Sequence, residues 1–213
     1  MFRDRLEAGA ILAEKLSQYK GRNGVVLAVP RGGVPVAYVV AKELNLPLEL
    51  LLTKKIGHPY NKEYAIGAVS LSDSYIVPHP DISPSYIESE IKAVREKLKM
   101  MSVKFKGGIV HNDLKDKIVI VIDDGIATGN TLMASLTIIK KQHPQRIVIA
   151  VPVAPSDTIK KFEKLTDEFI CVLAPDDFHG VGAFYENFQQ VSDEEVIYYL
   201  NKHADETPPD NKN

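Results

Sequence analysis

Five consecutive β-branched apolar residues, Ile118-Val119-Ile120-Val121-Ile122, run directly into two carboxylates, Asp123 and Asp124. An unbroken apolar run of this length predicts a strand buried on both faces, as in a parallel sheet. A short turn, Gly125-Ile126-Ala127-Thr128-Gly129-Asn130-Thr131, follows, and Leu132 to Lys141 then has helical periodicity. Ligands of parallel sheets collect beyond the carboxyl ends of the strands, where this acidic pair falls. Gly125 and Gly129 permit backbone conformations that aim successive N–H groups at one anion, and the helix start adds its dipole. Thr128 and Thr131 add hydroxyl donors. An acidic pair beside an anion cradle suits a phosphorylated sugar held with a divalent metal. Side chains alternate along a strand, so Asp123 and Asp124 are expected on opposite sides rather than as one acid–base dyad. They suit vicinal hydroxyls, or a metal bound through water.

The flanking chain supplies the rest of such a sheet. Phe2, Leu6, Ile11, Leu12 and Leu16 recur at helical spacing, which predicts an N-terminal helix ending near Gly21. Strands are expected at Gly24 to Pro30 and Leu48 to Thr53, with a helix at Val34 to Leu44 between them, a β-α-β order with a right-handed crossover. Residues 57–64 are polar and aperiodic and read as a loop, followed by a hairpin at Ala65 to Leu71 and Ser74 to Val77. Ser83-Pro84 starts a long helix that Gly107-Gly108 ends. Beyond the acidic pair come a strand at Arg146 to Pro152, a helix at Ser156 to Leu165 and a strand at Glu168 to Leu173. Residues 176–190 form an aromatic loop region, a small hood. A closing helix starts at Ser192, with Glu195 in the capping-box position. The expectation is an α/β fold, a Rossmann-like parallel sheet flanked by helices, in one domain over residues 1–203. Residues 204–213, with two prolines and no large apolar side chain, read as a disordered tail.

The net charge of −2 gives no global attraction to nucleic acid, so an anion must be caught locally. The best basic segment, Lys92 to Lys106, is diluted by Glu96, with Glu90 just ahead of it. No window approaches the roughly 18 apolar residues of a membrane span. One cysteine, Cys171, sits between Ile170 and Val172 as a small core residue and suits a reducing cytoplasm.

Two nucleotide signatures are excluded. Gly125 and Gly129 are too closely spaced for a Walker A loop, and Asn130 stands where its lysine belongs; no Gly-x-Gly-x-x-Gly follows a strand. The stretch Val121 to Thr131 resembles the phosphoribosyl-pyrophosphate (PRPP) motif of the type I phosphoribosyltransferases. The β-α-β order and the upstream Arg-Gly-Gly loop extend that resemblance to most of the chain. It implies the type I phosphoribosyltransferase fold and a cytoplasmic, Mg²⁺-dependent transfer of 5-phosphoribosyl from PRPP to a small-molecule acceptor, with release of pyrophosphate. Asp123 and Asp124 would bind the ribose 2′- and 3′-hydroxyls with Mg²⁺ nearby, in a PRPP site running from Asp123 through Gly125, Ile126, Ala127, Thr128, Gly129, Asn130 and Thr131. Ile126 to Thr131 would hold the 5-phosphate.

Pro30-Arg31-Gly32-Gly33 ends another strand and faces the same crevice; its glycines allow close approach to an anion and Arg31 supplies a bidentate fork. It resembles the family's pyrophosphate loop, and Lys54 or Lys55 would meet the same group. Residues 57–64 stand where the family has a mobile catalytic loop, which would exclude water. Arg31, Lys55 and Glu63 are the candidates for catalytic charge work, with Lys62 and His58 beside them. Phe178 or Tyr185 could stack on a planar acceptor. One departure matters: relatives acting on 6-oxopurines carry an acid where this chain has Ala127, which argues against hypoxanthine and guanine. The other reading is a regulatory protein that binds PRPP without catalysis. The N-terminal helix could cover the sheet or meet a second copy in a homodimer.

Overall fold

The computed structural model describes residues 1–105 and 113–206, apart from the side chain of Glu63. The expected Gly107-Gly108 helix stop and residues 207–213 of the expected tail lie outside the described residues. The described residues divide into two compact units: residues 1–51, 105, 113–128 and 144–206, and residues 52–104 with 129–143.

The first unit is built on a parallel sheet. Its strands are β1 (Gly24–Ala28), β2 (Leu48–Leu50), β6 (Ile118–Ile122), β7 (Arg146–Val153) and β8 (Glu168–Leu173), in the order β2-β1-β6-β7-β8. Every neighbouring pair is parallel. The expected strand 118–122 is β6, and its four inner residues are fully buried. Each such Val or Ile side chain contributes about 2 kcal/mol of burial, which is why β6 occupies the sheet centre. Helices α1 (Arg5–Lys15), α2 (Gly33–Leu44), α5 (Ser156–Glu163) and α6 (Asp193–Glu206) belong to the same unit. Asp4 caps α1 by accepting from the N–H groups of Leu6 and Glu7, each at 2.9 Å. The capping box of α6 is present: the Glu195 N–H donates to Ser192 Oγ at 3.1 Å and the Ser192 N–H to Glu195 Oε2 at 2.8 Å.

The strand order reverses beside β1. The connection through α2 carries the chain from β1 to β2 on one side, whereas β6, β7 and β8 extend the sheet on the other. Ala28 pairs with Ile122, so the loops after β1 and β6 leave the sheet at the same level. That is the switch point at which open α/β sheets bind ligands.

The second unit holds an antiparallel sheet of β3 (Thr53–His58), β4 (Asn61–Ser70) and β5 (Ser74–Ile76), packed with α3 (Pro84–Lys104) and α4 (Asn130–Lys140). Three expectations are corrected. Leu48 to Thr53 is not one strand: β2 ends at Leu50, and Thr53 starts β3 in the other sheet. Residues 57–64 are not an extended loop. His58 pairs with Asn61 around a two-residue Pro59-Tyr60 turn, and a half-exposed strand carries polar residues that hide its character. The tail does not begin at 204, because α6 continues to Glu206. There its carboxylate accepts from Tyr38 Oη at 2.8 Å and pairs with Lys42 at 3.2 Å, which anchors the last turn.

Candidate functional site

Within the first unit the switch point brings together the loop after β1 and the acidic pair after β6. A Cβ added at Gly32 would lie 2.2 Å from Asp124 Oδ2, and one at Gly33 would lie 2.8 Å from Asp123 Cα. At Gly33 a Cβ would meet backbone and at Gly32 it would displace the Asp124 carboxylate, so Gly32-Gly33 is packed directly on the two acids. Arg31 Nη1 lies 3.8 Å from Asp193 Oδ1, at the first residue of α6.

The two carboxylates are not separated as strand alternation predicts, because β6 has ended at Ile122. The Asp124 N–H donates to Asp123 Oδ1 at 2.9 Å. Burial, and then the charge of Asp124, push the Asp123 carboxyl well above the usual carboxylate range. Burial also raises Asp124, and the Arg5 guanidinium opposes that shift. Arg5 Nε donates to Asp124 Oδ2 at 2.9 Å, and Nη2 forms an ion pair with the same oxygen at 2.8 Å.

The turn behind the acids is tied down from two sides. The Ile126 N–H donates to the Val153 carbonyl at 2.9 Å, and Thr158 Oγ1 donates to the Ala127 carbonyl at 2.6 Å. Ala127 and Thr128 remain exposed. The division between the units falls inside the predicted stretch: Asp123 to Thr128 belong to the first, and Gly129, Asn130 and Thr131 to the second. Gly129, at φ 69°, is the N-cap of α4 and supplies no capping side chain. The first N–H groups of α4 therefore lack a side-chain cap, the condition for an anion at a helix N-terminus.

The other predicted residues are placed differently. Lys54 is exposed and Lys55 half-buried on β3, and Glu63 lies on β4, all in the second unit; the Glu63 side chain is outside the described set. There Lys62 Nζ donates to Tyr86 Oη at 2.6 Å, and His58 Nε2 lies 3.2 Å from Asp81 Oδ2. Tyr185 is not an open platform for an acceptor: it is 5% exposed and packs on Phe2 and Phe188 with ring centroids 5.3 and 5.0 Å away. Its hydroxyl donates to the Asp124 carbonyl at 2.6 Å. Phe178 stacks on Phe184 at 5.7 Å. Cys171 is half-buried, and burial pushes its thiol up to about 11.

Sequence reading missed Arg5, Thr158 and Asp193. Arg5 is 119 residues from its partner Asp124, and no periodicity or motif spacing signals such a contact. Among the described residues no helix is long and apolar enough to cross a membrane.

Comparison with known proteins shows the family. The sequence pattern of the phosphoribosyl transferase domain matches residues 4–189, which run through both units. A protein of Mycobacterium tuberculosis, provisionally named a phosphoribosyl transferase in each of two strains, is 36% identical over 207 residues. That match covers 95% of this chain and 47% of the relative, so the chain spans about half the length of the curated relatives it matches. The crystal structure of TT1426 from Thermus thermophilus superposes with a TM-score of 0.87 at 36% identity, covering 94% of this chain and 98% of that one. The family is one of pentosyl-transferring glycosyltransferases, and a match over residues 4–189 leaves no ambiguity about membership: this chain belongs to the phosphoribosyl transferase domain family.

Proposed function

We propose that the chain binds PRPP and transfers its 5-phosphoribosyl group to an acceptor, releasing pyrophosphate. The observation that carries this reading is the close approach of Gly32 and Gly33 to Asp124 and Asp123 at the sheet's switch point. It sets close-approach backbone beside two carboxylates, with Arg31 on the same loop, groups that complement a diphosphate and a sugar diol. Ile126 to Thr131 then take the 5-phosphate through backbone N–H groups, the Thr128 and Thr131 hydroxyls and the α4 N-terminus.

Asp123 and Asp124 receive the ribose hydroxyls, and Arg31, Gly32 and Gly33 take the pyrophosphate, joined by Lys54 or Lys55. Arg31 and Lys55 offset the negative charge that develops as pyrophosphate departs. Glu63 is assigned charge work during transfer. Catalysis rests on positioning and electrostatics.

Among the described residues no group of three or more His, Cys, Asp or Glu could hold a metal ion. The site still fits Mg²⁺, which takes one or two protein carboxylates and completes its shell with water and substrate phosphates. Asp123 and Asp124 would hold it, and the ion would neutralise phosphate charge. The acceptor is a small planar or amine nucleophile. Ala127 in place of an acid supports a choice other than hypoxanthine or guanine, and Phe178 is the aromatic residue assigned to it. The protein is assigned to the cytoplasm, and a homodimer is one use of the N-terminal helix.

One experiment tests the reading: Mg²⁺ and PRPP with a panel of bases and amines, following pyrophosphate release and product mass. The expected result is acceptor-dependent release that the double substitution Asp123→Asn, Asp124→Asn removes together with PRPP binding. Unchanged calorimetric binding in that double variant would overturn it.

A further inference from the structure

Arg5 sits at the first residue of α1 and is almost completely withdrawn from solvent, its side chain 11% exposed. A guanidinium so buried needs partners, and four contacts on two segments of the chain, at Asp124 and at Phe188-Gln189, supply them. Nε and Nη2 converge on the single oxygen Oδ2 of Asp124. Nη1 donates to the Gln189 carbonyl at 2.8 Å, and the guanidinium carbon lies 3.9 Å from the centroid of the Phe188 ring. The segment carrying Arg5 is itself fixed. The Phe2 N–H donates to the Phe184 carbonyl, the Glu186 N–H to the Phe2 carbonyl and the Asn187 N–H to the Arg3 carbonyl, at 2.8, 2.8 and 2.9 Å.

The same Asp124 oxygen is confined from the opposite direction. A Cβ at Gly32 would approach Oδ2 more closely than the rest of the carboxylate, at 2.2 Å against 3.1 Å for Oδ1. Oδ2 is thus enclosed between a guanidinium and the Gly32 backbone, and the torsion of the carboxylate is set by that enclosure.

We propose that Arg5 is a positioning residue for diol recognition: by holding Oδ2 of Asp124 it presents Oδ1 to the sugar hydroxyls, so that the site selects ribose over 2-deoxyribose phosphates. The assignment rests on the proposed role of the acidic pair as the hydroxyl acceptor. It adds what fixes the acceptor oxygen. A carboxylate free to rotate would meet a hydroxyl in many orientations, most of them unproductive, whereas one whose Oδ2 is held by the Arg5 guanidinium meets it in few. Lysine cannot replace this function fully, since a single ammonium cannot hold Oδ2, reach the Gln189 carbonyl and stack on Phe188 at once.

The test is calorimetry on the full chain with ribose 5-phosphate and 2-deoxyribose 5-phosphate as probes, using wild type, Arg5→Ala and Arg5→Lys. Wild type is expected to prefer ribose 5-phosphate by about tenfold, the worth of a hydrogen bond to a charged acceptor. In Arg5→Ala the preference falls toward unity while binding of the 2-deoxy sugar changes little, because the phosphate cradle is untouched. Arg5→Lys gives an intermediate ratio. Equal weakening of both sugars in Arg5→Ala would mean a merely structural role and would overturn the proposal. So would an unchanged ratio in a discriminating protein, with the acid-pair reading left standing. A wild type that binds both sugars alike removes the diol reading and the Arg5 assignment together. If Arg5→Ala does not fold, the Arg5→Lys ratio decides, and an unchanged value overturns the proposal.

Discussion

Thr158 Oγ1 donates to the carbonyl of Ala127 at 2.6 Å, so a buried side chain on α5 holds the exposed turn behind the acidic pair. Thr158→Val keeps the shape and removes the donor. The expected cost is about 1 kcal/mol of stability by chemical denaturation, with sugar-phosphate affinity lower by about threefold to tenfold. Unchanged affinity would show that the turn holds its conformation without this bond.

Gly32 and Gly33 are expected to fail differently when changed to alanine. The Cβ of Gly32→Ala meets the Asp124 carboxylate, so ligand binding weakens by about a hundredfold as that group is displaced. The Cβ of Gly33→Ala meets backbone, the Ile122 carbonyl oxygen at 2.7 Å and Asp123 Cα, so the fold loses about 1–3 kcal/mol. Calorimetry and thermal unfolding on the two variants separate these outcomes.

Asp123 is costly to the fold in the unliganded chain. Its carboxyl titrates above the ordinary range, mainly because burial penalises the charge and secondarily because Asp124 is beside it. A raised folded-state value means that stability is present at low pH and declines as pH climbs past the unfolded value of about 4. Asp123→Asn is expected to raise Tm at neutral pH by about 2–4 °C while abolishing sugar-phosphate binding. A fall in Tm would contradict this account of Asp123.

His203 gives the opposite pH dependence. It is 5% exposed, and burial lowers its pKa against the opposing pull of the Leu46 backbone and Glu206. The unfolded chain then takes up a proton that the folded chain refuses, so stability holds above about pH 6.5 and declines as pH falls below it. Urea midpoints between pH 7 and pH 5 should drop for wild type, and drop less for His203→Phe.

Fold class was legible because β6 and its acidic terminus carry their own signal: an apolar run long enough to demand burial, stopped by charges that cannot share it. The capping box at Ser192 and Glu195 was legible for a similar reason, since both partners lie within one turn. Other features were hidden by range or by polarity. The β3–β4 hairpin passed for a loop because Asn61, Lys62 and Tyr64 are all exposed and the register shifts around Gly57 break the alternation that marks a strand. Tyr185 was read as a platform because composition does not say which face of an aromatic ring is already covered. Arg5 was invisible since its contacts depend on the assembled sheet end at Asp124 and on Phe188 and Gln189, far along the chain.

The pairing of Phe2 with Phe184 and Glu186 has a consequence for how the protein comes into being. Arg5 and Gln189 are separated by 184 residues, so during synthesis the acidic pair leaves the ribosome well before the segment that encloses it. A nascent chain that has already formed β1 and β6 still lacks the C-terminal lining of its site, and acquires it only after Gln189 has emerged. The acidic pair is therefore finished late, by a clasp between the two ends of the domain, and a chain truncated before residue 184 would keep the charges and lose their arrangement.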